Sequence, residues 1–269
     1  MGQLENQTAL ITGGGTGIGL ALARCFHQEG AAVVICGRRE QVLQSAAADI
    51  APQGQRVMYK VADISTEQDV VDLVSEAASW RRGLDILINN AGAIRINKPP
   101  EETTQAEWQY VIDTNITGTF LCCREAFRIM EKQETGGRII NLGSSSARVA
   151  SGPGHSPYRA SKHGMMGFSK NILLEGKDKK IGVTVINPSH VKTPMTEIID
   201  QGLYDEDIPA YLEGWLDEKE LKEGIHASCI AVENVAEIAL YVATRTPDVT
   251  IPQIALYPTH KAHRSGRDV

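Results

Sequence analysis

The chain predicts an α/β domain on a doubly wound parallel sheet, and three observations carry that expectation. Short apolar runs rich in Val and Ile alternate with longer amphipathic segments, from TALIT at 8–12 to GVTVIN at 182–187. The runs are apolar throughout, as strands covered on both faces require. A glycine-rich turn, TGGGTGIG at 12–19, joins the first run to the first helical segment. Strands alternating with helices build βαβ units and therefore a parallel sheet.

Taken in order, strands are expected at TALIT (8–12), AVVIC (32–36), RVMYKV (56–61), LDILIN (84–89), RIINLG (138–143) and GVTVIN (182–187). Helices are expected over 17–29, 39–50, 66–80, 103–132 and 157–176. Each strand is compact and bounded by Gly, Asp or Asn. The last three place Asn89–Asn90, Gly143–Ser144 and Asn187–Pro188 on one carboxyl edge, where doubly wound sheets bind ligands. The stretch 195–229 breaks the rhythm. It is acidic, helical in pattern and carries Tyr204, Tyr211 and Trp215, so it is expected to form a small lid over that edge. A further strand fits IPQIALY, in a single domain spanning 1–258 and followed by a polar tail, 259–269.

A length of 269 residues suits one α/β domain. The formal net charge of −6 argues against binding a nucleic-acid backbone. No apolar run approaches the ~20 residues that cross a bilayer. The N-terminus lacks a signal-peptide core, and Asn6 stands where a myristoylation signal carries Ser or Thr. A cytoplasmic location is the expectation. Cys25, Cys36, Cys122, Cys123 and Cys229 form no CxxC pair and no regular spacing, so reduced thiols and no metal site are expected.

The glycine turn has the context of a dinucleotide-binding loop, after a strand and opening a helix. Gly13 permits the turn, and Gly17 and Gly19 let the backbone approach a pyrophosphate and the helix pack on the strand. Thr16, Gly17, Ile18 and Gly19 lie where the helix N-terminus offers free N–H groups to phosphate. The spacing is G-x-x-x-G-x-G rather than G-x-G-x-x-G. After the second strand, Gly37 occupies the position of the usual ribose-binding acid and is followed by Arg38 and Arg39. Guanidinium groups bind a 2′-phosphate that a carboxylate would repel, which favours NADP(H); the alternative is a pair of solvated arginines at a helix start.

Tyr158 and Lys162 are four residues apart and share one helix face. An ammonium near the phenol favours phenolate, so the tyrosine is expected to titrate lower than usual and to act as an acid or base near neutral pH.

In this setting the chain resembles the short-chain dehydrogenase/reductase family, including its 3-oxoacyl-carrier-protein reductase-like members, over about residues 7–257. Seven pieces match in the family's order: TGGGTGIG, Ala62–Asp63, NNAG at 89–92, Asn115 in DTNITG, a serine after IINLG, YRASK at 158–162 and INPSHVKTPM at 186–195. The resemblance implies a Rossmann-type NADP-dependent oxidoreductase that interconverts a carbonyl and a secondary alcohol on a small molecule. It implies that Tyr158 exchanges the proton and that Lys162 holds the nicotinamide ribose and tunes the tyrosine. Asn115 would kink its helix and keep a water in the proton relay. Asp63 and Ile64 would border adenine, and Asn90, Ala91 and Gly92 the ribose side. Pro188, Val191 and Thr193 would lie along the nicotinamide end and phosphates. It also implies a homodimer or homotetramer through helices 103–132 and 157–176. Two departures stand out: Ser189 replaces the usual glycine after the proline, and the C-terminus lacks the family's Asp-Gly-Gly ending.

The serine partner has two candidates. Counting from the strand selects Ser144; counting back from Tyr158 selects Ser145. Insertions belong in loops, so the strand is the better anchor and Ser144 the expected residue. Arg95, Asn97, Ser146, Arg148, Gly154, His155 and His190 are candidates to face substrate, or to be rim residues in solvent. A non-catalytic NADP(H)-binding scaffold on the same fold is the alternative function, and an epimerase or dehydratase the alternative reaction.

Overall fold

The computed structural model describes residues 2–81, 83–94, 98–147, 154–195 and 229–259. Seven strands form one parallel sheet: β1 (Thr8–Thr12), β2 (Ala32–Gly37), β3 (Val57–Val61), β4 (Ile86–Asn89), β5 (Gly137–Leu142), β6 (Ile181–Pro188) and β7 (Gln253–Leu256). Their order is β3-β2-β1-β4-β5-β6-β7. Leu10 of β1 pairs with Val34 of β2 on one side and Leu87 of β4 on the other. The chain therefore reverses direction across the sheet at β1 and β4, and a crevice opens beyond their carboxyl ends.

The helices are α1 (Gly17–Gln28), α2 (Glu40–Ile50), α3 (Glu67–Arg81), α4 (Gln105–Ile112), α5 (Gly118–Met130), α6 (Ser156–Gly176) and α7 (Val232–Ala243). On one face of the sheet Leu22 and Phe26 of α1, Leu43 of α2 and Ala239 of α7 pack against Ile11, Ile35, Ile88 and Ile186. On the other, Leu73 of α3, Leu121 and Met130 of α5 and Ile172 of α6 pack against Leu10, Val34, Leu87 and Ile139. Alternate residues of one strand thus feed two cores, which explains the unbroken apolar strand sequences.

Two differences from the sequence expectation bear on function. The single helix expected over 103–132 is divided. A capping box of Thr104 and Glu107 starts α4, a π-helical turn spans Asp113–Thr117, and α5 follows. The wide turn carries Asn115 inward to 2% exposure, and Thr119 Oγ1 donates to its backbone oxygen at 2.9 Å. In addition, α7 is absent from the expected elements; it presents Val235, Ala236, Ala239 and Val242 to the core and packs against α1.

The five cysteines are free, and burial pushes the Cys36 and Cys123 thiols up to about 12. Among the described residues no helix is long and apolar enough to cross a membrane, and no group of His, Cys, Asp and Glu could hold a metal ion.

Candidate active site

The glycine turn forms the first wall. Gly13 has φ +64°, a conformation that side chains resist, and a Cβ there would sit 2.9 Å from Ala91 Cα. A Cβ on Gly19 would strike the Gly13 carbonyl. Asn90 fastens the turn from β4: its Nδ2 donates to the Thr12 and Gly13 carbonyls at 2.9 and 3.2 Å. Thr12 Oγ1 accepts the Asn90 and Ala91 N–H groups, both at 3.0 Å. The start of α1 is left open. Thr16 stands at the N-cap with no side-chain cap bond, and the first turn, including Ile18, carries no acid. A side-chain-free cradle at an uncapped helix N-terminus fits a phosphate. Thr193 closes the other side, 3.3 Å from where a Gly17 Cβ would project. Pro188 ends β6, and buried Val191 bridges to Ile230. These residues fit a bound dinucleotide.

Arg38 and Arg39 follow β2 directly. Arg39 is exposed at the N-cap of α2. Arg38 leans towards β3: its Nη2 donates to the Tyr110 hydroxyl at 3.1 Å, and its Nη1 lies 4.0 Å from Asp63 Oδ2. Asp63 Oδ1 is turned back, accepting Ser65 N–H and Oγ–H at 3.0 and 2.7 Å. Ile64 beside it is buried. Tyr110 escapes sequence reading because nothing in the spacing links α4 to the end of β2.

The second wall gathers the polar residues of β4, β5, α5 and α6. Asn89 Nδ2 donates to Asn141 Oδ1, and Asn141 Nδ2 to Ser169 Oγ, both at 2.8 Å. This buried chain ties α6 to the sheet. Lys162 Nζ is buried and donates to the Leu142 carbonyl at 2.7 Å, lying 5.6 Å from the centre of the Tyr158 ring. The Asn115 carboxamide spans the gap to β4, accepting Ala93 N–H at 2.7 Å and donating to Ala93 O and Ser161 Oγ, both at 2.9 Å. Ser161, between Tyr158 and Lys162 in sequence, is thus the link between Asn115 and α6, and donates to the Tyr158 carbonyl at 2.6 Å. A Cβ built on Gly92 would stand 3.5 Å from Asn115 Oδ1 and 4.0 Å from Lys162 Nζ.

Tyr158 and Ser144 share a side-chain hydrogen bond. Ser144 Oγ also accepts the Ser146 N–H at 3.1 Å, whereas Ser145 begins a short 3-10 turn. The electrostatics differ from the sequence expectation. Burial raises the Tyr158 phenol above its ordinary value, and the Ser144 hydrogen bond opposes that rise. Lys162 does not lower it: burial brings the Lys162 group itself down to about 8, so it is already neutral where the raised phenol titrates.

Gly154, His155 and His190 lie within the described residues, with His155 at the N-cap of α6 and the His190 carbonyl accepting Ile230 N–H at 2.8 Å. Ser156 is the first residue of α6, one residue before the expected start of that helix. Arg95, Asn97 and Arg148, the connection residues 148–153, the lid expected at 195–229 save its two end residues, and the tail beyond Thr259 fall outside the described residues.

The fold and this edge define a dinucleotide-binding α/β protein in which half-buried Tyr158 and Ser144 stand before buried Lys162 and Asn115. A family model described as short chain dehydrogenase matches residues 7–203, and the chain belongs to that family. It is similar to the D-beta-hydroxybutyrate dehydrogenase of Rhizobium meliloti, 35% identical over 88% of this chain and 91% of the relative. It is 32% identical to the 3-oxoacyl-acyl-carrier-protein reductase of Chlamydia trachomatis, over 90% of this chain and 92% of the relative. Among solved structures, actinorhodin polyketide ketoreductase with NADPH superposes with a TM-score of 0.83 at 27% identity, covering 96% of this chain and 98% of that one. The protein is an oxidoreductase acting on hydroxyl or carbonyl groups.

Proposed function

We propose that the protein is an NADP(H)-dependent carbonyl reductase, with Tyr158 as proton donor to the substrate oxygen. The carrying observation is the Tyr158–Ser144 side-chain bond on an edge that also holds Lys162 and Asn115. The bound cofactor supplies the hydride. The chain supplies the rest. Ser144 and Tyr158 bind the carbonyl oxygen from two directions and stabilise the charge that develops there. Lys162 and Asn115 fix the wall behind the phenol, and Gly13–Gly19, Asn90, Ala91, Gly92, Pro188, Val191 and Thr193 line the cofactor side. Asp63 and Ile64 border its adenine end. The test is loss of 340-nm absorbance with NADPH across ketones, β-keto thioesters, sugars and steroid ketones. Reduction of at least one class supports the reading, and inactivity with all four overturns it.

The choice of NADP(H) rests on Arg38 and Arg39 beside Gly37. Arg38→Ala is expected to raise KM for NADPH about 10-fold, the effect of one charge-assisted hydrogen bond, and to leave KM for NADH nearly unchanged. Equal effects on both cofactors, or better kcat/KM with NADH in the parent protein, would reject this preference.

The chain is also expected to self-associate. Phe120 of α5 and Leu174 of α6 are 40% and 60% exposed, and Phe120 meets Phe168 edge-on across the two helices. Light scattering after gel filtration should give at least twice the chain mass, and Phe120→Asp with Leu174→Asp should give the monomer. A monomeric parent protein removes the idea.

A further inference from the structure

At the end of β6 sits a carboxamide with no part in the reaction as outlined above. Asn187 is fully buried, and its Oδ1 accepts the Ser144 N–H at 3.1 Å. Its Nδ2 is also buried and meets no acceptor among the described residues. An unpaired buried donor costs stability, so fold energetics alone disfavour this side chain. Its packing is specific all the same. A Cβ on Gly143 would run into Asn187 Oδ1 and stand 3.0 Å from Val185 Cγ1. The Gly143 N–H donates to the Ile186 carbonyl at 2.7 Å. Two successive residues of β6 therefore hold two successive amides of the turn that carries Ser144. Ser146 N–H holds the Ser144 hydroxyl oxygen from the other end, at 3.1 Å.

We propose that Asn187 is a positioning residue: its Oδ1 fixes the Gly143–Ser144 turn so that Ser144 Oγ stays on the Tyr158 hydroxyl. The inference rests on reading Ser144 and Tyr158 as the groups that bind and protonate the substrate oxygen. It explains why a glycine must precede Ser144. It also gives the strand anchor of that serine a physical form, since the turn is clamped to β6 rather than to the connection that follows.

Asn187→Ala is the test. A kcat about 10-fold lower is expected, the size of one hydrogen bond's loss, with both KM values little changed. In the alcohol-oxidising direction the rising limb of kcat/KM should move to higher pH, because the Ser144 bond is what holds the phenol down. In a Ser144→Ala background Asn187→Ala should cost nothing further, since it acts through that serine. Hydrogen exchange at the Ser144 amide should quicken without cofactor, while Tm moves little, because the lost bond and the removed orphan donor offset each other. An unchanged kcat in Asn187→Ala, or losses that multiply in the double variant, would overturn the proposal. Should the alanine variant fail to fold, Asn187→Ser is read by the same comparisons. If Tyr158→Phe retains turnover, the acid–base reading itself falls; if it is inactive while Asn187→Ala is normal, only this inference does.

Discussion

Tyr158→Phe is expected to lower kcat by about 10²–10⁴-fold, the usual contribution of a positioned acid or base. Dinucleotide affinity should barely change. The substitution removes one oxygen and leaves the ring in its place on α6, one turn from Lys162. Ser144 Oγ keeps the Ser146 N–H and loses only the phenol. The glycine turn, Asn90 and Thr193 lie on other elements of the chain. Single-turnover measurements at saturating cofactor separate chemistry from binding, and fluorescence titration of NADPH gives the affinity. Turnover within a few-fold of the parent would remove Tyr158 from the chemistry.

Lys162→Met should lose activity and gain stability. Burial holds the Lys162 ammonium at about 8, against 10.5 in the unfolded chain. Below pH 8 both states carry the proton, and the folded state bears the cost of a desolvated charge. Between the two values this lysine binds more proton in the unfolded chain, so its own contribution to stability rises with pH. The full difference corresponds to about 3 kcal/mol. The hydrogen bond to the Leu142 carbonyl returns about 1 kcal/mol of it. Methionine, of similar length and uncharged, should therefore gain about 2 kcal/mol at pH 7, or roughly 4–8 °C in Tm. The stability gap between this variant and the parent should close from pH 8 to 10.5, as the parent's buried lysine sheds its proton in the folded state. At the same time kcat should fall by about 10²-fold or more. Calorimetry at pH 7 and 9.5 checks both signs. A Met variant less stable than the parent at pH 7 would show that the ammonium contributes more by bonding than it loses by desolvation. A gain in stability at the expense of function is the usual pattern where a site holds a charge the fold would rather exclude.

The strands and most helices were legible because a two-sided parallel sheet leaves a strong imprint: unbroken apolar runs, punctuated by Gly, Asp and Asn. The glycine turn was legible for the same reason, since close backbone approach permits no substitute at Gly19. What stayed hidden depends on contacts distant in sequence. Tyr110 on Arg38, Asn187 on Ser144 and Ser161 on Asn115 join residues 72, 43 and 46 positions apart. No local period encodes them. The sign of the Tyr158 shift is not legible either, because the i, i+4 spacing shows that Lys162 is near but not that burial raises the phenol and lowers the lysine. Helix α7 has ordinary amphipathic spacing, yet it follows the segment 195–229, whose break in rhythm ended the recognisable alternation.

The π-helical turn at Asp113–Thr117 has a consequence for how this helix compares with others. Such a turn takes up one residue more than α-helical geometry needs, and one residue is about 100° of rotation. The extra residue is absorbed within the turn, so Val111 of α4 and Leu121, Cys122 and Met130 of α5 all stay buried on either side of it. Deleting one residue of 113–117 would let the rod run on as ordinary α-helix with both faces kept, and would remove the wide turn that carries Asn115 inward. A homologous helix without the bulge can match this one on either side of Asn115 only across a one-residue gap, so the bulge is a length marker as much as a bend.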